Sequence, residues 1–297
     1  MMDPGTSNEL SAGASLGEAI VWAAAVLQAA GCDSPRLDAE LLLASSLGIT
    51  RSQLHVHWQD RLTPAVASTF NLYIQRRKRR EPLAYILNER AFYDLVLEVS
   101  PAILIPRPET ELLVEEAIRW CQRYGHRDLW AADVGTGSGA LAIALARHIP
   151  ALQVCAIDQS DAALAMAERN ILHYSLQDRV YLIVGNLFEG VQRRFDLIVA
   201  NLPYIPHDRL VELAPEVTQY EPIQALDGGE CGLEIIGRMC QQAPAHLERP
   251  GLLLLEIDQG QGQTVSDLLI SMLPSAKVQV LLDYAGLERV VRAEIAT

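Results

Sequence analysis

A glycine-rich turn between an apolar run and a helical segment constrains the fold of this chain more than any other feature. Leu129–Val134 has the composition of a short buried strand, residues 135–139 (Gly-Thr-Gly-Ser-Gly) suit a tight turn, and Ala140–His148 has helical spacing. A second apolar run, residues 152–157, ends at Asp158. This order of strand, turn, helix and strand predicts an α/β sheet with parallel strands.

The same turn predicts a nucleotide-like ligand. Glycines let the backbone approach a ligand closely, and the start of the following helix presents unpaired N–H groups. Asp158 stands about twenty residues further on, where a carboxylate can accept hydrogen bonds from both ribose hydroxyls. NAD-binding folds share this arrangement, but the pattern here is G-x-G-x-G rather than G-x-G-x-x-G, and no second mononucleotide-binding half follows.

The tetrapeptide Asn201-Leu202-Pro203-Tyr204 follows the apolar run Phe195–Ala200 and is suited to hold a planar NH2 group. An amide nitrogen is a poor nucleophile because its lone pair is delocalised into the carbonyl, so a methylating enzyme must hold both N–H bonds. The Asn201 oxygen and a nearby backbone carbonyl can accept them, while Pro203 fixes the backbone and Tyr204 offers a stacking face. Alone, the tetrapeptide is equally compatible with an ordinary strand exit, since Asn and Pro are common turn residues.

Glycine turn, ribose-binding acid and amide-binding tetrapeptide, in that order, indicate S-adenosylmethionine as the cofactor. The chain resembles the release factor glutamine N5-methyltransferases, the PrmC/HemK family, which methylate the glutamine of the Gly-Gly-Gln motif in peptide chain release factors. The resemblance runs from about residue 37 to residue 293. It rests on residues 82–87, 105–111, 133–139, 201–205, 221–222, 225–229, 285–286 and 289–291. Among these, Arg-Pro-Glu-Thr-Glu (107–111) together with the amide-binding tetrapeptide is highly specific.

The resemblance implies an α/β fold, the seven-stranded, Rossmann-like sheet of class I S-adenosylmethionine-dependent methyltransferases, with a small N-terminal helical domain. Turn signals and apolar spacing divide the chain into a helical domain in residues 1–80, a connecting hairpin in 81–101 and an α/β domain in 102–297. The resemblance implies that the last is the methyltransferase domain, and the helical domain is expected to dock the protein substrate. Residues 1 to about 14 are polar and predict a frayed leader. The last two strands, near 278–282 and 289–294, are expected to form an antiparallel edge pair.

Carried onto this sequence, the family's site implies a role for each matching residue. The expected catalytic residues are Asn201, Pro203 and Tyr204, with the Asn201 oxygen and the carbonyl of Leu202 or Pro203 accepting the glutamine N–H bonds. The other expected substrate contacts are Phe92, Arg107 and Glu109; Glu109 and Glu111 also suit a surface ion-pair cluster. The expected cofactor contacts are Gly135, Thr136, Gly137, Ser138, Gly139 and Asn201, with Asp158 on the ribose and Asn186, Leu187 and Phe188 beside the adenine.

Three features depart from the family's usual pattern. Asn-Leu-Pro-Tyr replaces Asn-Pro-Pro-Tyr, Asn88 stands where a glycine is typical, and Asn186-Leu187 replaces an aspartate and an aromatic residue. The first change keeps the Asn, the second Pro and the Tyr of the motif. An asparagine at 186 can still accept a hydrogen bond from adenine but carries no charge, and Leu187 cannot stack as an aromatic ring does.

The charge balance disfavours a nucleic acid substrate. With 24 basic and 37 acidic residues the formal net charge is −13. Amino-methyltransferases that act on adenine in DNA use a similar amide-binding motif, but a duplex-binding surface needs a basic face and a means of flipping the base. The strongly basic run is residues 76–80, which suits either a solvated helix end or a contact for an acidic partner.

Cysteine, histidine and hydropathy patterns point to a cytoplasmic enzyme without a metal. The five cysteines are odd in number and include no C-x-x-C pair, which disfavours both a disulfide framework and a zinc site. None of the seven histidines has ligand spacing, and neither a signal sequence nor a membrane-spanning run is found. The expected partner is a release factor, and the expected state is a monomer.

Two alternative functions are compatible with the same sequence features. The amide-binding motif recognises the amide and not the protein around it, so a glutamine of a ribosomal protein is also a possible substrate. A methyltransferase-like docking protein that has lost cofactor affinity through Asn186 and Leu187 is the other alternative. The intact turn at 135–139, Asp158 and Asn201 disfavour that second reading.

Overall fold

The computed structural model describes residues 10–124 and 128–296. Residues 1–9 of the predicted leader lie outside the described residues, and so does His126. The described residues form two compact units, one within Met1–Asn88 and Ala214–Tyr220 and the other within Glu89–Leu213 and Glu221–Thr297. The chain thus leaves the second unit after Leu213, adds a short segment to the first, and returns at Glu221.

Strands and helices largely alternate beyond residue 128. The helices are α1 (Leu16–Ala29), α2 (Pro35–Leu47), α3 (Arg51–Val56), α4 (Pro64–Lys78), α5 (Leu83–Leu87), α6 (Glu111–Cys121), α7 (Ala140–His148), α8 (Asp161–His173), α9 (Pro215–Tyr220), α10 (Glu234–His246) and α11 (Gly262–Met272). The strands are β1 (Glu89–Phe92), β2 (Leu95–Glu98), β3 (Leu129–Val134), β4 (Leu152–Asp158), β5 (Val180–Val184), β6 (Phe195–Ala200), β7 (Leu247–Glu256), β8 (Ala276–Leu282) and β9 (Glu288–Ile295). Short 3-10 turns cover Pro108–Thr110, Gln122–Tyr124, His207–Glu212 and Ile223–Ala225.

The helical unit contains α1 to α5 and α9. Ser15 and Thr63 cap the first turns of α1 and α4 with their side-chain oxygens, and Pro64 occupies the first helical position, where no N–H is needed. The apolar faces of these helices bury a core of their own, which includes Leu27, Leu42, Phe70 and Ile74. Burial of such side chains, each contributing about 1.5–3 kcal/mol, stabilises helices too short to persist alone.

The basic run at residues 76–80 forms ion pairs within this unit. The Arg77 side chain is buried and contacts Asp38 at 2.7 Å and Glu216 at 2.9 Å. Arg80 contacts the same Glu216 at 2.6 Å. Neither use suggested by the sequence, a solvated helix end or a partner surface, therefore describes Arg77 and Arg80, because both pair with acids of their own unit. The pairs fasten the segment Ala214–Tyr220 to α2 and α4.

The strands β1 and β2 form an antiparallel hairpin within the second unit, in which Phe92 lies opposite Leu95. Just before the hairpin, Asn88 ends α5 with φ of 57°, a left-handed conformation. Asparagine adopts this conformation more readily than most non-glycine residues. The turn is therefore kept although the usual glycine is absent.

The second unit is built around a seven-stranded sheet of order β5-β4-β3-β6-β7-β9-β8. Strands β5 to β7 in this order are parallel, whereas β9 is antiparallel to both β7 and β8. Apolar side chains of α6, α7 and α8 pack on one face and those of α10 and α11 on the other. Because both faces are covered, the central strands are nearly continuous apolar runs. The sheet and the antiparallel β8–β9 pair predicted from the sequence are confirmed.

Within the described ranges, no helix combines the length and apolar character that crossing a bilayer requires.

Candidate active site

The carboxyl ends of neighbouring parallel strands bring the central site residues together. Val134 of β3 pairs with Ile157 of β4 and with Ala200 of β6, and Ala200 pairs in turn with Leu255 of β7. The strand order reverses direction between β3 and β6, which is where open α/β sheets bind ligands. The residues that come next along this edge are Asp158, Gly135, Asn201 and Glu256.

The glycines of the turn have two different tasks. Gly135, Gly137 and Gly139 all have positive φ, of 78°, 55° and 82°. A Cβ added to Gly137 would meet no atom within 4 Å, whereas one added to Gly139 would lie 3.2 Å from the Ile143 side chain and 3.4 Å from that of Ala167. Gly137 therefore leaves room for a ligand beside the backbone, and Gly139 lets α7 pack closely against α8.

Thr136 and Ser138 are buried and support the turn from beneath. Thr136 Oγ1 donates to Asp133 Oδ2 at 2.6 Å, and the Ser138 carbonyl accepts from Asn170 Nδ2 at 2.9 Å. Burial raises the pKa of Asp133 to about 7, against the opposing effect of hydrogen bonds from Thr136 and the Ala142 N–H. The turn is thus held in shape by groups that do not face the cavity.

Asp158 lies at the end of β4 and lines the cavity. Its Oδ2 accepts from the Gly137 N–H at 2.9 Å and its Oδ1 from the Ser160 N–H at 3.0 Å. A carboxylate has about four acceptor sites, so each oxygen can still accept one hydrogen bond from a ligand. The carboxylate is held rigidly and remains available to two hydroxyls at once.

Asn186 and Leu187 line the cavity, but Phe188 does not. Asn186 Oδ1 accepts from Arg238 Nη2 at 3.1 Å, and Leu187 has φ of 57°, an uncommon conformation for a bulky residue. The Phe188 side chain is buried, with its ring 6.0 Å from that of Phe195 and 4.3 Å from that of His246. Its ring belongs to the core of the sheet unit, so the adenine contact predicted for it would have to come from Asn186 and Leu187.

Asn201 is oriented by Thr110. Its Nδ2 donates to Thr110 Oγ1 at 3.0 Å. Thr110 is buried and ends the 3-10 turn Pro108–Thr110, part of the Arg-Pro-Glu-Thr-Glu sequence. With its NH2 group engaged there, the Asn201 side chain has its oxygen as the free end, and Asn201 lines the cavity. The side chain therefore offers an acceptor rather than a donor.

The rest of the tetrapeptide divides between the cavity and the core. Leu202 and Pro203 line the cavity. The Tyr204 hydroxyl donates to Glu256 Oε1 at 3.3 Å, and the Tyr204 carbonyl accepts from Gln261 Nε2 at 2.9 Å. Burial, together with the nearby Glu256 carboxyl, raises the pKa of the Tyr204 phenol, so this hydroxyl stays protonated.

The predicted substrate contacts in the first part of the sheet unit have other partners. Arg107 Nη2 contacts Glu221 Oε1 at 2.5 Å, and Glu221 Oε2 accepts from the Ile105 N–H at 3.3 Å, so this pair fixes the segment that carries Thr110. Glu109 is exposed. Phe92 is 1% exposed and packs in the apolar core, where it does not line the cavity.

One cavity of about 190 Å³ connects these features. The predicted residues on its wall are Gly135, Gly137, Asp158, Asn186, Leu187, Asn201, Leu202 and Pro203. Arg238 lies on the same wall. In the ranges that the structure describes, no cluster of three or more His, Cys, Asp or Glu side chains is arranged to bind a metal ion.

Thr110 and Glu256 were not among the site residues predicted from sequence. Thr110 stands inside the Arg-Pro-Glu-Thr-Glu motif, of which only charged residues had been predicted to contact the substrate. Glu256 closes the apolar run of residues 251–255 at the carboxyl end of its strand. A lone carboxylate at that position, beside the strand that ends at Asn201, was the available signal.

The strand order, with β9 antiparallel to its neighbours, and the glycine turn after β3 define a class I methyltransferase. Residues 112–218 match the family model described as the methyltransferase small domain. A solved methyltransferase structure from Pyrococcus furiosus shares the fold, with a TM-score of 0.53 at 18% identity over 75% of this chain and 99% of that one.

Comparison with similar proteins identifies the family within this class of methyltransferases. Residues 18–87 match the PrmC N-terminal domain. The release factor glutamine methyltransferase of Geobacter sulfurreducens is 40% identical over 92% of this chain and 94% of its own length. That of Thermosynechococcus vestitus is 42% identical over 74% of this chain and 77% of its own length. The chain belongs to the release factor glutamine methyltransferase family, as the sequence motifs predicted, and is an enzyme.

Proposed function

We propose that this enzyme transfers a methyl group from S-adenosylmethionine to the side-chain amide nitrogen of the glutamine in the Gly-Gly-Gln motif of peptide chain release factors. The observation that carries the proposal is the orientation of Asn201. Its NH2 group is bound to Thr110 Oγ1, which leaves Oδ1 as the acceptor. A glutamine amide presents two N–H donors, so it is the complementary group.

The cavity wall suits S-adenosylmethionine. The open space beside Gly137 accepts a ligand near the backbone, the Asp158 oxygens can each accept a ribose hydroxyl, and Asn186 and Leu187 would flank the adenine. The cofactor, when bound, supplies a methyl group activated by a positively charged sulfur. Asn186 offers an oxygen already shared with Arg238, so the contact to adenine would be neutral where the family's usual aspartate carries a charge.

The residues of the tetrapeptide would accelerate the transfer by positioning. Asn201 Oδ1 and the Leu202 or Pro203 carbonyl accept the amide N–H bonds, and Tyr204, whose hydroxyl is bound to Glu256, holds the tetrapeptide in place from the core side. An amide N–H is far too weak an acid to be deprotonated beforehand by these side chains, so the nitrogen loses its proton only after it has attacked. Orientation and preorganised acceptors then supply most of the rate.

The test compares two forms of one release factor. Enzyme and methyl-labelled cofactor are incubated with the intact factor and with a variant in which alanine replaces the Gly-Gly-Gln glutamine. We expect label only in the first form. Equal labelling of both forms would contradict the proposal, and labelling of a ribosomal protein in preference to the factor would favour the alternative substrate.

We further propose that the helical unit, residues 1–80 in the sequence-based division, docks the release factor. Lys78 and Arg79 are the members of the basic run whose side chains are exposed, so they are available to an acidic partner surface. Lys78→Glu with Arg79→Glu should raise KM for the intact factor while leaving a Gly-Gly-Gln peptide unaffected. Lys277→Glu with Arg249→Glu, at exposed positions of β8 and β7, makes the same change in net charge and is the control. Unchanged KM in the double variant would contradict docking at this run.

A further inference from the structure

Glu256 is a buried carboxyl next to the amide-binding residue. It ends β7 directly after Leu255, which pairs with Ala200, the residue before Asn201. Only 1% of Glu256 is exposed. Carboxylates are rarely buried to this degree unless they are paired or hydrogen-bonded, since burial of a charge is costly. The cost of burying Glu256 must therefore be offset by interactions with the groups around it.

The groups around this carboxyl are mainly hydrogen-bond donors and one cation. Burial raises the pKa of Glu256 to about 7, while the Thr110 hydroxyl, the Arg289 guanidinium and the Tyr204 hydroxyl lower it and Glu109 raises it. Tyr204 donates to Oε1 at 3.3 Å. Among residues 10–124 and 128–296, no hydrogen-bond partner is found for Oε2. The surroundings therefore favour a carboxylate that accepts hydrogen bonds from hydroxyls.

Thr110 connects Glu256 to Asn201. A threonine hydroxyl has one hydrogen to donate and two lone pairs that accept. Thr110 Oγ1 already accepts from Asn201 Nδ2 at 3.0 Å, so its own hydrogen must point elsewhere. The Glu256 carboxyl can accept this hydrogen, because it ends the strand beside the one that leads to Asn201, its Oε2 has no hydrogen-bond partner among the described residues, and the Thr110 hydroxyl lowers its pKa. With Glu256 as that acceptor, the hydrogen bonds would all run in one direction, from the Asn201 NH2 group to Thr110 and from the Thr110 hydroxyl to Glu256.

This direction matters because an asparagine side chain has two ends of nearly equal shape. Rotation by 180° exchanges its oxygen and its NH2 group, and only hydrogen bonding selects one orientation. A rotated Asn201 would present N–H donors to the N–H donors of a substrate amide. An anchor that accepts from Nδ2 prevents this.

We propose that Thr110 and Glu256 are positioning residues for methyl transfer, in which the Glu256 carboxylate orders the Thr110 hydroxyl and Thr110 holds Asn201 with its oxygen toward the substrate amide. The same carboxylate holds the Tyr204 hydroxyl, so one buried group sets both ends of the tetrapeptide. The inference rests on the proposed glutamine methylation and names the residues that orient its acceptor.

The first test uses substitutions at Thr110 in single-turnover methylation with saturating cofactor. Thr110→Val keeps the shape and removes the hydroxyl, and should lower the rate by about tenfold to a hundredfold, in line with the loss of a preorganised polar contact. Thr110→Ser restores the hydroxyl and should recover the rate to within about threefold. Ser266→Ala, which removes a buried hydroxyl outside the site, is the control and should leave the rate unchanged. Cofactor affinity and the melting temperature separate a positioning effect from loss of the fold.

The second test follows the pH dependence of the same rate. Protonation of Glu256 gives its carboxyl a hydrogen to donate, so it no longer forces the Thr110 hydroxyl to be the donor, and the wild-type rate should fall as the pH drops below about 7. Glu256→Gln keeps the shape without a titrating group and should flatten this limb. Asp133, whose pKa is also raised to about 7, lies beneath the cofactor turn and is present in both proteins, so its contribution is the same in the wild type and in Glu256→Gln.

The outcomes are distinguishable. A wild-type enzyme that transfers no methyl group to the glutamine overturns the proposed function and this inference with it. An active wild type with Thr110→Val within about threefold of its rate overturns the positioning role alone. A pH limb that persists unchanged in Glu256→Gln also overturns it.

Discussion

The two halves of the active site each rest on a buried carboxyl, but they are built differently. Beneath the glycine turn, Asp133 accepts from a backbone N–H of α7 and from Thr136. Beside the tetrapeptide, Glu256 is surrounded by the side-chain hydroxyls of Tyr204 and Thr110. The cofactor half is thus fixed largely by backbone, and the substrate half by side chains. Single side-chain substitutions should therefore act more strongly on methyl transfer than on cofactor binding.

Asn201→Ala should give the largest effect. It removes the acceptor for the substrate amide, and one preorganised polar contact contributes about 2.7–4 kcal/mol in a transition state, so the transfer rate should fall on the order of a hundredfold or more. Cofactor affinity should change little. Single-turnover methylation and a cofactor titration measure the two quantities separately. A rate within about threefold of wild type would make Asn201 an ordinary turn residue.

The pH dependence of stability should reveal the cost of burying Glu256. Its folded-state pKa of about 7 is above the ordinary value of 4.5, so the folded protein binds the proton more tightly and the unfolding free energy decreases as the pH rises through this window. The shift corresponds to roughly 3 kcal/mol. Glu256→Gln should lack this decrease, whereas the contribution of Asp133 cancels between the two proteins. Denaturant unfolding of both proteins at pH 5 and pH 7.5 measures this decrease. An equal change of unfolding free energy in both proteins would show that the pKa of Glu256 is not raised.

Asp158→Ala should act on the other half alone. A charge-assisted hydrogen bond contributes roughly 1.5–3 kcal/mol, so cofactor affinity should weaken by about tenfold to a hundredfold. The transfer rate at saturating cofactor should stay close to that of wild type. Calorimetry with S-adenosylmethionine provides the affinity. Unchanged binding would remove Asp158 from the ribose site.

Gly137→Ala should give the smallest effect, and a matched glycine is available as its control. Gly137 and Gly190 both have positive φ, and a Cβ on either would meet no atom within 4 Å. Alanine at both positions should cost about 1–2 kcal/mol of stability through the backbone conformation. Only Gly137 lines the cavity, so only its variant should also lose cofactor affinity, by several-fold. Equal affinities in the two variants would place the ligand away from Gly137.

The features predicted from sequence are those that backbone geometry dictates. The turn at 135–139, the acid that ends β4 and the strand before Asn201 follow from glycine spacing and apolar runs, and the structure brings them to one edge of the sheet. Contacts that depend on side-chain direction were harder to predict from the sequence. Phe92 and Phe188 were expected at ligands but are core residues, because an aromatic ring beside a site is equally suited to the apolar interior.

The helical unit shows the same limit of prediction from sequence. A run of basic residues at 76–80 indicates a surface when only the sequence is considered. Its acidic partner Glu216 lies 139 residues from Arg77, beyond any local pattern. The role of Thr110 was hidden similarly, since Asn201 is 91 residues away.

Tandem mass spectrometry of the release factor after one turnover tests the central claim most directly. The fragment ions of the Gly-Gly-Gln peptide should place a single added methyl group on the glutamine side-chain nitrogen with the wild-type enzyme, and the same product should be depleted about a hundredfold with Asn201→Ala at equal time. A methyl group on any other residue of the factor, or an equal yield from both enzymes, would contradict an active site built to hold a glutamine amide.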